Sequence, residues 1–217
     1  MKDLYIYGAG GTGQEIYAIA ERKNAGHSLW GGIHFVDDTV GGKEDGVLRY
    51  ADFLALHRPA DSVEFLIANG EPAYRRMLRR KLRSDGYDLA TLVDDTAVVA
   101  RGALVEPGAV IYPFVCVSPN AVIGRNSLLY YHVSVAHDSV IGTDSLLSMS
   151  ACVSGHCVIA EACFLGASSM VRERVEMGEF CILGSCSALL DDAPDCGVYG
   201  GVPAKRLREN LAKRVFS

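Results

Sequence analysis

From Leu92 to Ala193 the sequence repeats every six residues without an insertion, and no other feature restricts the fold as tightly. In hexads cut from Leu92, the second position is aliphatic seventeen times running, from Val93 through Ile111, Val135 and Val153 to Leu189. The sixth position holds only Ala, Ser, Cys or Val, and the third is often glycine (Gly124, Gly142, Gly166, Gly178, Gly184). A helix needs apolar residues every three or four positions, and a half-buried strand needs them every two. A chain that turns a corner every six residues satisfies a period of six, and three such steps close an eighteen-residue triangular coil. The pattern therefore predicts a parallel β-helix. Its aliphatic column fills the prism, its small column sits beside each corner, and its glycines relieve crowding at the bends. Nearly six coils at the ~4.8 Å spacing of paired strands give a prism roughly 25–30 Å long.

The first ninety residues follow another rhythm. Leu4–Tyr7 reads as a buried strand, Gly8-Ala9-Gly10-Gly11-Thr12-Gly13 as a tight loop, and Gln14–Lys23 as a helix with Ile16, Ile19 and Ala20 on one face. His34–Val36 is a second strand ending at Asp37-Asp38. Glu64–Ala68 is a third, followed by Asn69-Gly70 and a helix around Met77. Strands alternating with helices predict a small parallel α/β sheet, a Rossmann-like half-domain. Glycines between strand and helix let backbone N–H groups approach a phosphate. An acidic residue after the second strand can take a ribose hydroxyl. The segment is too short for both halves of a dinucleotide fold, so a nucleoside diphosphate fits it better than NAD; the glycines alone also fit a plain turn. The run Arg75, Arg76, Arg79, Arg80, Lys81, Arg83 reads as the solvated side of a helix whose inner face carries Met77, Leu78 and Leu82. The expected organisation is residues 1–90 for the α/β domain, 91–193 for the β-helix and 194–217 for a cap or tail. The α/β domain would cover one end of the solenoid, and an amphipathic helix from Pro203 to Phe216 the other.

A net charge of −5 argues against nucleic acid as a partner. No apolar run approaches the ~20 residues that span a bilayer, which argues against membrane insertion. Leu4–Tyr7 is too short for the apolar region of a signal peptide, so a cytoplasmic location is expected. The seven cysteines form no CxxC pair. Five of them (Cys116, Cys152, Cys157, Cys163, Cys181) fall where the repeat wants small buried groups, and read as reduced core residues.

Of the six histidines, His27, His34 and His57 read as surface or packing residues. His132, His137 and His156 lie on the repeat, outside its aliphatic column. An imidazole followed by a carboxylate, as in His137-Asp138, suits a general base near neutral pH. One coil is eighteen residues, so Gly155 stacks directly on His137, and its N–H could steady the oxyanion of a thioester under attack. The same pair also reads as an exposed corner with a turn-forming aspartate. His132 and His137 share the five-residue spacing of two zinc ligands in gamma-class carbonic anhydrases, which use the same prism. The third ligand should fall near Thr96, which cannot ligate zinc there, so no metal is expected.

Taken together, Tyr5-Ile6-Tyr7-Gly8-Ala9-Gly10-Gly11, Phe35-Val36-Asp37-Asp38, His137-Asp138, Val153-Ser154-Gly155 and Gly200-Gly201-Val202-Pro203-Ala204-Lys205 resemble the sialic-acid O-acetyltransferase and UDP-4-amino-sugar N-acetyltransferase family (NeuD/PglD-like) over essentially the whole chain. The resemblance implies a left-handed β-helix, a homotrimer and acetyl-CoA bound between neighbouring prisms. It implies His137 as base, Asp138 raising its basicity, and Gly155, Leu146, Ala167, Ser185 and Lys205 along the cofactor. Gly10, Gly11, Thr12, Asp37, Asp38 and Asn69 would hold a nucleotide-linked amino sugar, N-acetylated on its amine. O-acetylation of a sialic acid or related sugar, a non-catalytic sugar-nucleotide scaffold and a zinc hydratase are the alternatives. Three departures stand out: Thr12 and Leu146 where some relatives have histidine, and Asp94-Asp95 where many have His-Pro.

Overall fold

The computed structural model describes residues 1–40, 42 and 46–216. The α/β part runs β1 (Lys2–Tyr7), α1 (Gly11–His27), β2 (Trp30–Val36), β3 (Val47–Leu48), α2 (Tyr50–Ala55), β4 (Val63–Ile67), α3 (Pro72–Ser84) and β5 (Asp88–Leu89). Its strands form one parallel sheet in the order β3-β2-β1-β4-β5. Side chains alternate across a strand, so the central β1 serves two cores. Leu4 and Ile6 pack with Ile16 and Ile19 of α1, in a cluster that continues into the prism. Tyr5 and Tyr7 face Tyr50, Phe53, Phe65 and Leu82 on the other side.

The hexads become seventeen two-residue strands, β6 (Leu92–Val93) through β22 (Ala188–Leu189). Each pairs in parallel with the strand eighteen residues away, as Val117 does with Val99 and Val135. The rungs stack into three sheets, one per prism face. The aliphatic column is fully enclosed from Ile111 to Leu189, whereas Val93, Val99 and Val105 of the first coil are only half-buried. The α/β domain therefore does not seal that end, contrary to expectation; it leans along one side of the prism.

The corners are made differently from the sequence reading. Left-handed backbone falls on the fifth hexad position, at Asn120 (φ 61°), Asp138 (φ 58°) and His156 (φ 57°) among others, and the glycines there are Gly102 and Gly108. Non-glycine residues tolerate this conformation poorly in isolation, but from Asn126 to Cys186 the corner N–H groups are tied to the coil beneath. Asp138 donates to the Pro119 carbonyl, His156 to His137 and Arg174 to Gly155. The third-position glycines answer a different demand, coil-to-coil contact. A Cβ on Gly142 would lie 2.4 Å from the Ala160 carbonyl carbon, and one on Gly166 2.4 Å from the Ser185 nitrogen.

The C-terminal segment is not a helix. β23 (Gly197–Gly201) joins the edge of the last coil in parallel with Ile182–Leu183, and β24 (Ala204–Glu209) folds back on it antiparallel. An open solenoid edge offers unpaired backbone groups that a strand satisfies. The leucines that suggested an amphipathic face, Leu207 and Leu211, stay exposed.

Helix α3 also departs from expectation. Arg75 is fully buried, donating to the carbonyls of Ile67 (2.7 Å), Asn69 (3.1 Å) and Asn126 (2.6 and 2.9 Å). Arg79 clasps Asp144 through two nitrogens (2.7 and 2.8 Å), and the Arg76 guanidinium lies 5.0 Å over the Phe180 ring. Met77, assigned to the inner face, is half-exposed. Arg75, Arg76 and Arg79 thus form the docking edge of α3, matched to Asn126, Asp144 and Glu161 along one corner of the prism, whereas Arg80 and Arg83 are solvated as expected. Of the five cysteines assigned to the core, Cys157, Cys163 and Cys181 are buried, Cys152 is partly covered, and Cys116, which points outward from its rung, is exposed.

Candidate active site

The corner after β13 (Ser134–Val135) carries His137-Asp138, and the same corner one coil on carries Gly155-His156. His137 Nδ1 is 2.8 Å from Asp138 Oδ2. An ionised carboxylate only accepts, so it fixes the proton on Nδ1 and leaves Nε2 with a free lone pair. The hydrogen bond from His137, helped by one from Asn120 Nδ2 (3.0 Å), holds the Asp138 carboxyl below its usual range. His156 sets its ring edge-on to His137, centroids 5.1 Å apart, with Nε2 3.9 Å from the same carboxylate. A Cβ on Gly155 would meet His137 Cε1 at 2.9 Å and Nε2 at 3.0 Å, so the glycine makes room for the imidazole. Among the described residues, the Gly155 N–H has no protein acceptor. The site thus presents a base with a free lone pair beside a free amide donor.

The donor atoms of His137, Asp138 and His156 lie within 4.8 Å of one another, but His132, on which the zinc reading leaned, does not join them. It stacks on Phe114 at another corner, centroids 5.2 Å apart.

A second site is a cleft of about 520 Å³ at the C-terminal ends of β1, β2 and β4, where parallel sheets bind ligands. Asp37, Asp38 and Asn69, all read from the sequence, line it, with Tyr7, Glu71, Tyr74, Arg214 and Phe216. Burial would raise the Asp37 carboxyl. Hydrogen bonds from the Ala9 N–H (2.9 Å), the Thr39 hydroxyl and N–H, and the Val40 N–H outweigh it and leave the carboxyl below its ordinary value. Asp38 accepts from the Tyr7 hydroxyl (2.6 Å) and the Tyr50 N–H (2.9 Å). Burial first, then the carboxylates beside them, push the Tyr7 and Tyr74 phenols up, so both remain donors.

Gly10, Gly11 and Thr12 do not line this cleft. Gly10 and Gly11 face open space, and the Thr12 hydroxyl bonds Tyr130 of the prism (3.0 Å). The residues assigned to the cofactor also separate. Leu146 packs on the outer face beside Gly70, and Lys205 pairs with Gly200 in the terminal hairpin. Ala167 and Ser185 belong to the corner ladder of Tyr131 and Met149, whereas His137 and Gly155 belong to the next. Within one chain, the base and the rest of the expected cofactor wall stand at different corners.

The sequence reading missed Asn120 and His156 as neighbours of the base, although the coil period could have found them, since each lies eighteen residues from Asp138. Nothing in the sequence marked Glu71, Tyr74, Arg214 or Phe216 as neighbours.

A Rossmann-like parallel sheet docked on a left-handed β-helix is the architecture shared with solved hexapeptide-repeat acetyltransferases. Residues 3–82, the α/β part of the chain, match the PglD N-terminal domain. It is 29% identical over 128 residues to the GDP-perosamine N-acetyltransferase of Escherichia coli O157:H7, a match spanning 57% of each chain, so it covers little more than half of that relative. WeeI from Acinetobacter baumannii AYE superposes with a TM-score of 0.87 at 25% identity, covering 95% of this chain and all of that one. PerB from Caulobacter crescentus, solved with CoA and GDP-perosamine, superposes with a TM-score of 0.84 at 24% identity, covering 96% and 98%.

Proposed function

We propose that the protein is a homotrimeric acetyltransferase that moves the acetyl group of acetyl-CoA onto an amino group of a nucleotide-linked amino sugar. The observation that carries this reading is the His137–Asp138 pair set over Gly155. Nε2 of His137 takes the proton of the sugar amine as its nitrogen attacks the thioester carbonyl. The Gly155 N–H faces the oxyanion of the tetrahedral intermediate. When the intermediate collapses, the CoA thiolate leaves and collects the proton from the imidazolium. Asp138 holds the ring and balances its transient charge.

Residues 1–90 would hold the nucleotide sugar, with Asp37, Asp38 and Asn69 on its hydroxyls and Gly10, Gly11 and Thr12 near the first turn of α1. Residues 91–193 would carry the base and, along Leu146, Gly155, Ala167 and Ser185, the pantetheine arm. Residues 194–217 would close the prism and bring Lys205 to the cofactor. The GDP-perosamine N-acetyltransferase relative and the CoA and GDP-perosamine complex of PerB support this assignment. The separation of the corners supports a trimer, in which a neighbouring prism would offer its Ala167 and Ser185 edge to His137, which one chain cannot do for itself. The described residues include no helix long and apolar enough to cross a membrane. We place the protein in the cytoplasm, where acetyl-CoA and nucleotide sugars occur together and free cysteines persist.

The test is thiol release from acetyl-CoA with a panel of UDP- and GDP-linked amino sugars. His137→Ala should lose about 10²–10⁴-fold in kcat while remaining trimeric; full activity in that variant would refute the mechanism. Ser185→Trp should block the opposite wall. Mixed trimers of the two inactive variants regain activity only if a site is shared between subunits.

A further inference from the structure

We propose that residues 210–216 form the outer wall of the nucleotide-sugar cleft and that Arg214 takes a phosphate of the nucleotide. This rests on the nucleotide-sugar reading above and names a residue that neither the motifs nor the resemblance points to. The segment is pinned at both ends. Asn210 is buried, donating its N–H to the Cys196 carbonyl (2.7 Å) and its amide to the Phe180 carbonyl (3.0 Å), and accepting the Arg214 N–H (3.0 Å). At the other end Glu71 Oε2 accepts the N–H groups of Val215 (2.9 Å) and Phe216 (3.0 Å). The Phe216 ring stands edge-on to Phe164 at 5.6 Å and beside Gly70. Between these anchors Arg214 lines the cleft.

Charge identifies the ligand group. The cleft is lined by three carboxylates, Asp37, Asp38 and Glu71, and Arg214 is the one cation among its described lining residues. Each carboxylate already has donors: Ala9 and Thr39 for Asp37, Tyr7 and Tyr50 for Asp38, and the tail itself for Glu71. None of them takes the Arg214 guanidinium, for which the described residues supply no hydrogen bond or ion pair. A planar guanidinium is suited to bidentate contact with phosphate. A nucleoside diphosphate brings that anion together with ribose hydroxyls, which suit the carboxylates. A carboxylate-rich cleft would repel the diphosphate if the arginine were absent.

Calorimetric titration of the full-length protein with GDP and with UDP tests this without any turnover. Arg214→Gln should weaken nucleoside diphosphate binding about tenfold or more, Arg214→Lys should recover part of the loss, and acetyl-CoA affinity should not move. Equal nucleotide affinity in wild type and Arg214→Gln overturns the role of Arg214 and leaves the enzyme reading intact. No binding of either nucleotide by the wild type overturns the nucleotide reading and this proposal with it. A weakening of acetyl-CoA binding in parallel would assign Arg214 to the cofactor and overturn the proposal.

Discussion

Gly155→Ala isolates the geometry on which the proposed chemistry depends. The new methyl would lie 2.9 Å from His137 Cε1 and 3.0 Å from Nε2, whereas unstrained carbon contacts begin near 3.5 Å. The imidazole must then retreat by about 0.5–0.6 Å. The 2.8 Å bond from Nδ1 to Asp138 and the edge-on His156 ring restrict a concerted slide, so the imidazole swings outward and that bond stretches. The backbone at 155 is not left-handed, and His137 is more than half exposed, so the fold itself has little to lose. A misplacement of about 1 Å costs on the order of 10²-fold in rate. For roughly half that displacement plus a weakened carboxylate contact, kcat should fall about 10–100-fold, with little change in melting temperature. Thiol release and a thermal melt on the same preparation read both quantities. A variant within about threefold of wild-type kcat, or one that loses activity by unfolding, would refute the reasoning.

The same substitution one hexad column away should behave in the opposite sense. Gly142→Ala drives a methyl to 2.4 Å from the Ala160 carbonyl carbon, which is backbone and cannot swing aside. It should cost about 1–3 kcal/mol in denaturant unfolding. Arg75→Met strips the carbonyls of Ile67, Asn69 and Asn126 of their buried donor and should cost about 3–5 kcal/mol, seen as a lower urea midpoint. The Asp37 carboxyl, held below its unfolded value of about 3.9, stabilises the fold fully above about pH 4 and loses that contribution as pH falls through the lower folded value. Asp37→Asn should therefore flatten the fall in stability below about pH 4; an unchanged acid slope would count against the network around Asp37.

The features legible in the sequence are those written in short periods. Six-residue spacing located all seventeen rungs, and eighteen-residue spacing put Gly155 on His137. The glycine loop and Asp37-Asp38 lie at the strand ends where the sheet topology puts them. The sequence misleads where tertiary contact overrides local pattern. A run of arginines looks solvated until a partner surface supplies Asn126, Asp144 and Glu161, fifty or more residues away, to receive it. Likewise, the terminal segment has enough leucines for a helix, but the unpaired edge of the last coil recruits it as a strand. The left-handed corners accept residues as varied as Asn126, Asp138, Ala162, Arg174 and Phe180 because a ladder of N–H bonds from coil to coil compensates a conformation usually left to glycine.

The three departures from the family pattern share a structural consequence. Asp94 pairs with Arg22 while accepting from Thr96, and Asp95 holds Lys23 at 2.6 Å and His27 at 3.4 Å, so the residues standing for His-Pro tie the end of α1 to the first coil. Thr12, at the other end of α1, bonds Tyr130 two coils on. Leu146, on the coil beyond, packs beside Gly70 and the terminal Phe216 segment. None of them touches the His137–Asp138–Gly155 arrangement. All three lie at contacts that set how the α/β domain sits on the prism, alongside the buried Arg75–Asn126 bond. On the proposed reading, their effect is on where the cleft would carry a sugar relative to a neighbour's imidazole, a control on substrate rather than on chemistry. Substituting them would, on that reading, leave His137 and the Gly155 amide in place and change which amine reaches them.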